Sequence, residues 1–184
     1  GSEYHAGIEN LKDIAANSNT VFLNCDTVQL SNDVALFGGT MWTHIEAKYA
    51  GLIEARMNDF RKIKWTDGLY YYKFNTKKST MLHSIFKNAL EEFKTNDSRI
   101  KIVMSHMAPD FKSVHPMYAN SSENVAYYTD MDTSGIDYWF HGHMHTSSNY
   151  VKDGCLVTCN PYGYFGSGYN EVNPDFNASL VLDI

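Results

Sequence analysis

Val103-Met104-Ser105-His106-Met107-Ala108-Pro109 and Trp139-Phe140-His141-Gly142-His143-Met144-His145 decide how this chain is read. In each stretch a short apolar run stops and histidines follow. Short apolar runs bounded by polar residues fit buried strands. Residues 99–105, with Ile100, Ile102, Val103 and Met104, and residues 137–140 are therefore expected to be strands. The chain leaving such a strand is where α/β proteins place ligand sites. Histidines two apart in an extended segment point to the same side. Gly142 between close neighbours lets the backbone bend around a bound ion. Neutral imidazole is a common ligand for Zn, Mn and Fe. A lone histidine after a strand is more often structural, so the weight rests on the cluster.

Outward from these two stretches, helical and extended patterns alternate. Ile8, Leu11, Ile14 and Ala15 recur at helical spacing and predict a helix over residues 6–17. Residues 20–24 and 27–30 are strand candidates. Residues 33–38 are another, ending in Gly38-Gly39, where a sharp turn is expected. Thr43-x-x-Glu46 fits a capping box. Ile45, Tyr49, Leu52, Ile53, Met57 and Phe60 then form a helical stripe to about Ile63. Asp67-Gly68 marks a turn. Leu82, Ile85, Phe86, Ala89, Leu90 and Phe93 form a second long stripe. Residues 106–135 read as loop. Residues 150–151 and Cys155–Cys159 fit a hairpin around Asp153-Gly154, and residues 180–184 a last strand. Interspersed helices and strands give an α/β (α+β) class with mixed sheets. No repeat, low-complexity tract or linker interrupts the chain, so residues 1–184 read as one domain.

Composition narrows the function. Hydrophobic residues make up 43% and charged residues 20% of 184 positions, an ordinary globular balance that excludes long disorder. No apolar run approaches the ~20 residues of a membrane helix, so no membrane partner is expected. The net charge of −6 argues against a protein whose main task is gripping nucleic acid through a basic face. Three cysteines make no disulfide framework; Cys25, Cys155 and Cys159 read as free thiols in a reducing cytoplasm. Tyr70-Tyr71-Tyr72 and Lys77-Lys78 read as packing and as solvated charge. His83 reads as a helix-surface residue, and Asp110 and Asp137 as loop or cap residues.

Ser105-His106-x-x-Pro109 followed by Gly142-His143-x-His145 resembles the second half of the calcineurin-like metallophosphoesterases, in their bacterial and phage branch of predicted phosphohydrolases. The resemblance runs along nearly the whole chain. It includes Phe37-Gly38-Gly39-Thr40-Met41-Trp42-Thr43, Asn58-Asp59-Phe60, Ser113-Val114-His115-Pro116-x-Tyr118, Asp137-Tyr138-Trp139-Phe140-His141 and Asn160-Pro161-Tyr162-Gly163-Tyr164. Tyr162 stands where that branch usually has Arg.

The resemblance implies metal-dependent hydrolysis of a phosphomonoester or phosphodiester, with two adjacent divalent ions (Mn, Fe, Zn or Ni) as cofactors. It implies that His106 and His143 bind one ion and His145 the other. His115 is the candidate substrate-binding residue, facing a substrate phosphate, against the reading of a loop residue that only shapes the turn before Pro116. The family's D-x-H, G-D-x-x-D and G-N-H-[E/D] motifs are not found here. Residues 1–7 resemble the stretch at or just after G-N-H. Those motifs supply the bridging aspartate and the histidine acid, so no catalytic acid is assigned within the chain. The expectation is an incomplete domain, the C-terminal part of a β-sandwich flanked by helices. Its exposed sheet would call for self-association or for the missing N-terminal part. A truncated, inactive module acting only through association is the alternative.

Overall fold

The computed structural model describes residues 3–166 and 169–183. A six-stranded mixed sheet is flanked by helices. Its strands are β1 (Asp26–Gln29), β2 (Val34–Gly39), β5 (Ile100–Ser105), β6 (Tyr138–His141), β7 (Ser148–Lys152) and β8 (Cys155–Cys159). The spatial order is β1-β2-β5-β6-β8-β7. The four central strands are parallel, and β1 and β7 close the edges antiparallel. Two two-stranded ribbons stand apart: β3 (Lys64–Asp67) with β4 (Tyr70–Lys73), and β9 (Gly163–Gly166) with β10 (Tyr169–Val172).

One face of the sheet carries Ala35, Phe37, Val103, Trp139, Val157 and Cys155, all essentially inaccessible. Helix α4 (Thr76–Lys94) covers it. Asn75 caps that helix by accepting from Lys78 N, and Phe86, Leu90 and Phe93 are its buried residues. Phe37 meets Phe86 edge-on at 5.0 Å and stacks on Phe93 at 5.5 Å. Such pairs add about 1 kcal/mol each to the burial of their area.

The opposite face is open. Met104 is 48% exposed, and Leu30 and Val21 are 57% and 67% exposed. With Leu23, Leu36 and Phe140 they line a cleft of about 630 Å³ that ends at His106 and Gly142. Alternation explains this: Leu36, Met104 and Phe140 point opposite to Phe37, Val103 and Trp139. The resemblance implies two facing sheets; among the described residues there is one large sheet and two ribbons.

The helix over residues 6–17 is found as α1 (Tyr4–Ala16), the long second stripe is α4, and the hairpin around Asp153-Gly154 is β7–β8. Several expectations are corrected. Residues 20–24 are not a strand. Cys25 adopts φ 66°, which bends the chain before β1, while its N–H bonds Gly38 O at 2.8 Å. Gly38-Gly39 does not turn sharply. Both lie in β2, and a Cβ on Gly39 would meet Cys25 N at 2.9 Å, so close approach is what requires glycine there. The stripe to Ile63 is broken. It forms a 3₁₀ turn (Ala47–Tyr49), α2 (Ala50–Arg56) and α3 (Asn58–Lys62), with Met57 extended between the last two. That break lets Ile53, Met57 and Phe60 all enter the core. The Thr43/Glu46 capping box does not form; Thr43 is buried and its carbonyl accepts from Ser79 Oγ at 2.8 Å. Residues 180–183 are not a strand, because β8 and β7 occupy the sheet beside β6. Tyr138 OH reaches Asp183 O at 3.4 Å instead. Ile184 lies outside the described residues.

Candidate metal centre

The register Ser105↔His141 sets the two histidine-bearing loops side by side where β5 and β6 end. Gly142 N then donates to His106 O at 3.2 Å. The N–H groups of His106 and Met107 both donate to Thr40 O, so the end of β2 holds the first loop as well. Trp139 Nε1 donates to Ser105 Oγ at 2.8 Å, and Ser105 Oγ donates to Met107 O at 2.7 Å. A core tryptophan thereby fixes the turn that presents His106.

His106 and His143 are neighbours, with ring centroids 4.8 Å apart. Tyr127 stacks on His143 at 4.5 Å and 25°. Its segment is held beside the first loop by Ala108 N donating to Tyr127 O at 3.1 Å. His143 and His145 both have left-handed backbones, φ 65° and 52°. Non-glycine residues rarely sit there, and two within three positions mark a loop held in place by its surroundings. Burial, helped by the neighbouring imidazoles, pushes the pKa of His143 down to about 3. Desolvation lowers that of His106 too, against the pull of Asp59. Both rings are thus neutral at pH 7, the form that binds metal. His143 Nε2 is buried and has no hydrogen-bond partner among the described residues. An unsatisfied buried nitrogen is costly, about 1–3 kcal/mol, unless an ion or water meets it.

His145 is less committed. Its Nδ1 lies 3.3 Å from Glu171 Oε2, and Tyr164 meets its ring edge-on at 4.4 Å. Asp59, in the first turn of α3, interacts electrostatically with His106; burial raises its carboxyl pKa while His106 lowers it. Among the described residues, no group of three or more His, Cys, Asp or Glu side chains is arranged to hold a metal ion. The structure brings His106 and His143 together, and His145 acts electrostatically on both without completing a metal-holding group among the described residues. The buried, unpartnered Nε2 fits half of a metal centre. A closed one-ion or two-ion set the present residues do not fit.

His115 is exposed on another turn. Its Nδ1 accepts from Met117 N at 3.2 Å and caps the 3₁₀ turn Pro116–Tyr118. Among the described residues no hydrogen bond or ring contact joins it to the three histidines. His141 is a scaffold group: Nε2 meets Ser113 Oγ at 2.8 Å and Nδ1 meets Gly142 O at 3.0 Å. Ser113 Oγ also meets Tyr150 OH at 2.8 Å. His83 is a correction. It is 6% exposed, and Nδ1 lies 2.7 Å from Trp42 O. The three thiols are free, with Cys155 and Cys159 buried and pushed up to about 12. Asp110 and Asp137 serve backbone N–H groups, of Lys112 and Lys101 respectively. Tyr127, Glu171 and Asp59 were not legible as site residues. They arrive from three other segments, and only the N-D-F triplet gave any signal.

No family model matches the chain, and no solved structure matches it. It is similar to the uncharacterized protein L509 of Acanthamoeba polyphaga mimivirus, 25% identical over 184 residues. That similarity covers 90% of this chain and 61% of the viral protein, so the chain spans less than two thirds of this relative's length.

Proposed function

We propose that this chain is the histidine-bearing part of a metal-dependent phosphohydrolase acting on a phosphomonoester or phosphodiester. The observation that carries the proposal is the meeting of the Ser-His-x-x-Pro and Gly-His-x-His loops, with His106 beside His143 and His143 Nε2 buried without a partner among the described residues. Imidazoles carry no negative charge, and two dications side by side need carboxylates between them. Those carboxylates come from a polypeptide segment lying over the open sheet face, whose cleft ends at His106. Divalent ions are the cofactors, and the partner is that segment or a second chain.

A second reading has its own support: no three-residue ligand set is present among the described residues, and the open face is apolar. On that reading the chain is a non-catalytic module that acts by association. The test is hydrolysis of p-nitrophenyl phosphate and bis-p-nitrophenyl phosphate with Mn²⁺ or Zn²⁺, for the chain alone and joined to a segment bearing the missing motifs. The hydrolase reading expects metal-stimulated turnover in the joined form, abolished by His143→Ala. Tight association with no turnover under any metal favours the module.

A further inference from the structure

The β3–β4 hairpin carries an unusual concentration of exposed rings and cations. Leu69 is 94% exposed, and Tyr70, Tyr71 and Tyr72 are 69%, 72% and 54% exposed. These tyrosines are not packing, contrary to the sequence expectation. Residues 61–78 hold six basic residues and one acidic residue, a local net charge of +5 in a chain of net −6. The register places Lys64 directly opposite Lys73, and Thr66 opposite Tyr71. Because side chains alternate, Lys64, Lys73, Thr66 and Tyr71 share one face. Like charges opposed across a strand pair are destabilising unless an anion lies between them. Neither lysine makes an ion pair among the described residues. Glu3, whose backbone bridges to Lys64, already accepts through its carboxylate from Thr66 N at 3.0 Å and from Ala6 N at 2.7 Å.

We propose that this hairpin docks single-stranded nucleic acid, with a base stacked on Tyr71 and flanking phosphates between Lys64 and Lys73. A π-face beside a pair of cations is the combination that binds single strands without reading sequence. The same elements do not suit a membrane surface. The tip offers one apolar residue, Leu69, two positions from the carboxylate of Asp67, which is too little area to insert. The overall negative charge confines binding to this patch. The proposal stands whether or not the chain is a hydrolase, because it uses no histidine and no metal.

The test is fluorescence anisotropy of a labelled, mixed-sequence single strand of about 15 nucleotides, titrated with the 184-residue chain in EDTA at several salt concentrations. Saturable binding that weakens with salt is expected. Tyr71→Ala weakens it about tenfold with the salt slope kept, and Tyr71→Phe restores it. Lys73→Glu lowers both the affinity and the salt slope. Far-UV circular dichroism checks that each variant remains folded. No binding at low salt overturns the proposal. So does binding indifferent to Tyr71→Ala, which would be charge alone. Binding to phosphatidylserine vesicles without binding to the oligonucleotide overturns it in favour of a lipid surface.

Discussion

Trp139→Phe probes the link between the core and the loop that presents His106. Trp139 is fully buried against Phe86, and its indole N–H bonds Ser105 Oγ at 2.8 Å. Phenylalanine removes that donor, at about 1 kcal/mol. It also removes part of a ring from a close-packed core, at about 1–2 kcal/mol more. The total is about 2–3 kcal/mol. With a urea m-value of about 2 kcal/mol/M for a chain of this size, the midpoint falls by about 1–1.5 M. Urea unfolding at one fixed, low protein concentration, followed by circular dichroism, measures it. Ser105→Ala alone removes the same hydrogen bond from the other side. The two substitutions therefore couple by about 1 kcal/mol in a double-mutant cycle. A midpoint shift below about 0.3 M, or strict additivity, would refute the claim that Trp139 anchors the loop through Ser105.

Acid should destabilise the fold early. Burial holds His141 near pKa 4 and His143 near 3, against about 6.5 in the unfolded chain. Their contribution is complete above pH 6.5 and is lost as pH falls from there toward 4 and 3. At pH 5 each has given up about 2 kcal/mol; a thermal midpoint that stays flat from pH 7 to pH 5 contradicts this. Lys152→Met should cost about 2–4 kcal/mol in thermal unfolding. It leaves Asp110 with only the Lys112 N–H, after losing a Lys152 Nζ that lies 2.6 Å from a carboxylate with only 15% of its side chain exposed. The Asp130 partner is more exposed and adds little. Association of copies through the open face would be weakened by Phe140→Glu in sedimentation velocity, with the circular dichroism spectrum unchanged. Unaltered association would place the contact elsewhere.

The sheet was readable where hydrophobic pattern decides alone. Ile100, Ile102 and Val103 could only be a buried strand, and Phe86, Leu90 and Phe93 could only face the core from a helix. Patterning failed where backbone geometry overrode it. Met57 adopts an extended conformation inside an otherwise helical stripe, and Cys25 takes a left-handed turn inside an apolar run. His83 looked exposed because its helix carries polar neighbours, yet a carbonyl at Trp42 captures its ring. At the site, the motifs brought His106 and His143 together as expected. They said nothing of Tyr127 or Glu171, because long-range packing supplies those, and marked Asp59 only as part of the N-D-F triplet. The open sheet face was foreseen only from the resemblance; alternation by itself does not reveal which face lacks a cover.

Metal content per chain comes first among experiments on the site. The chain is incubated with Mn²⁺ and Zn²⁺, desalted, and analysed by elemental spectroscopy beside His143→Ala. A half-site built on His106 and His143 predicts at most one ion per chain, held weakly and lost in the variant. Two tightly held ions per chain would contradict it, because a complete centre would then exist without any added segment.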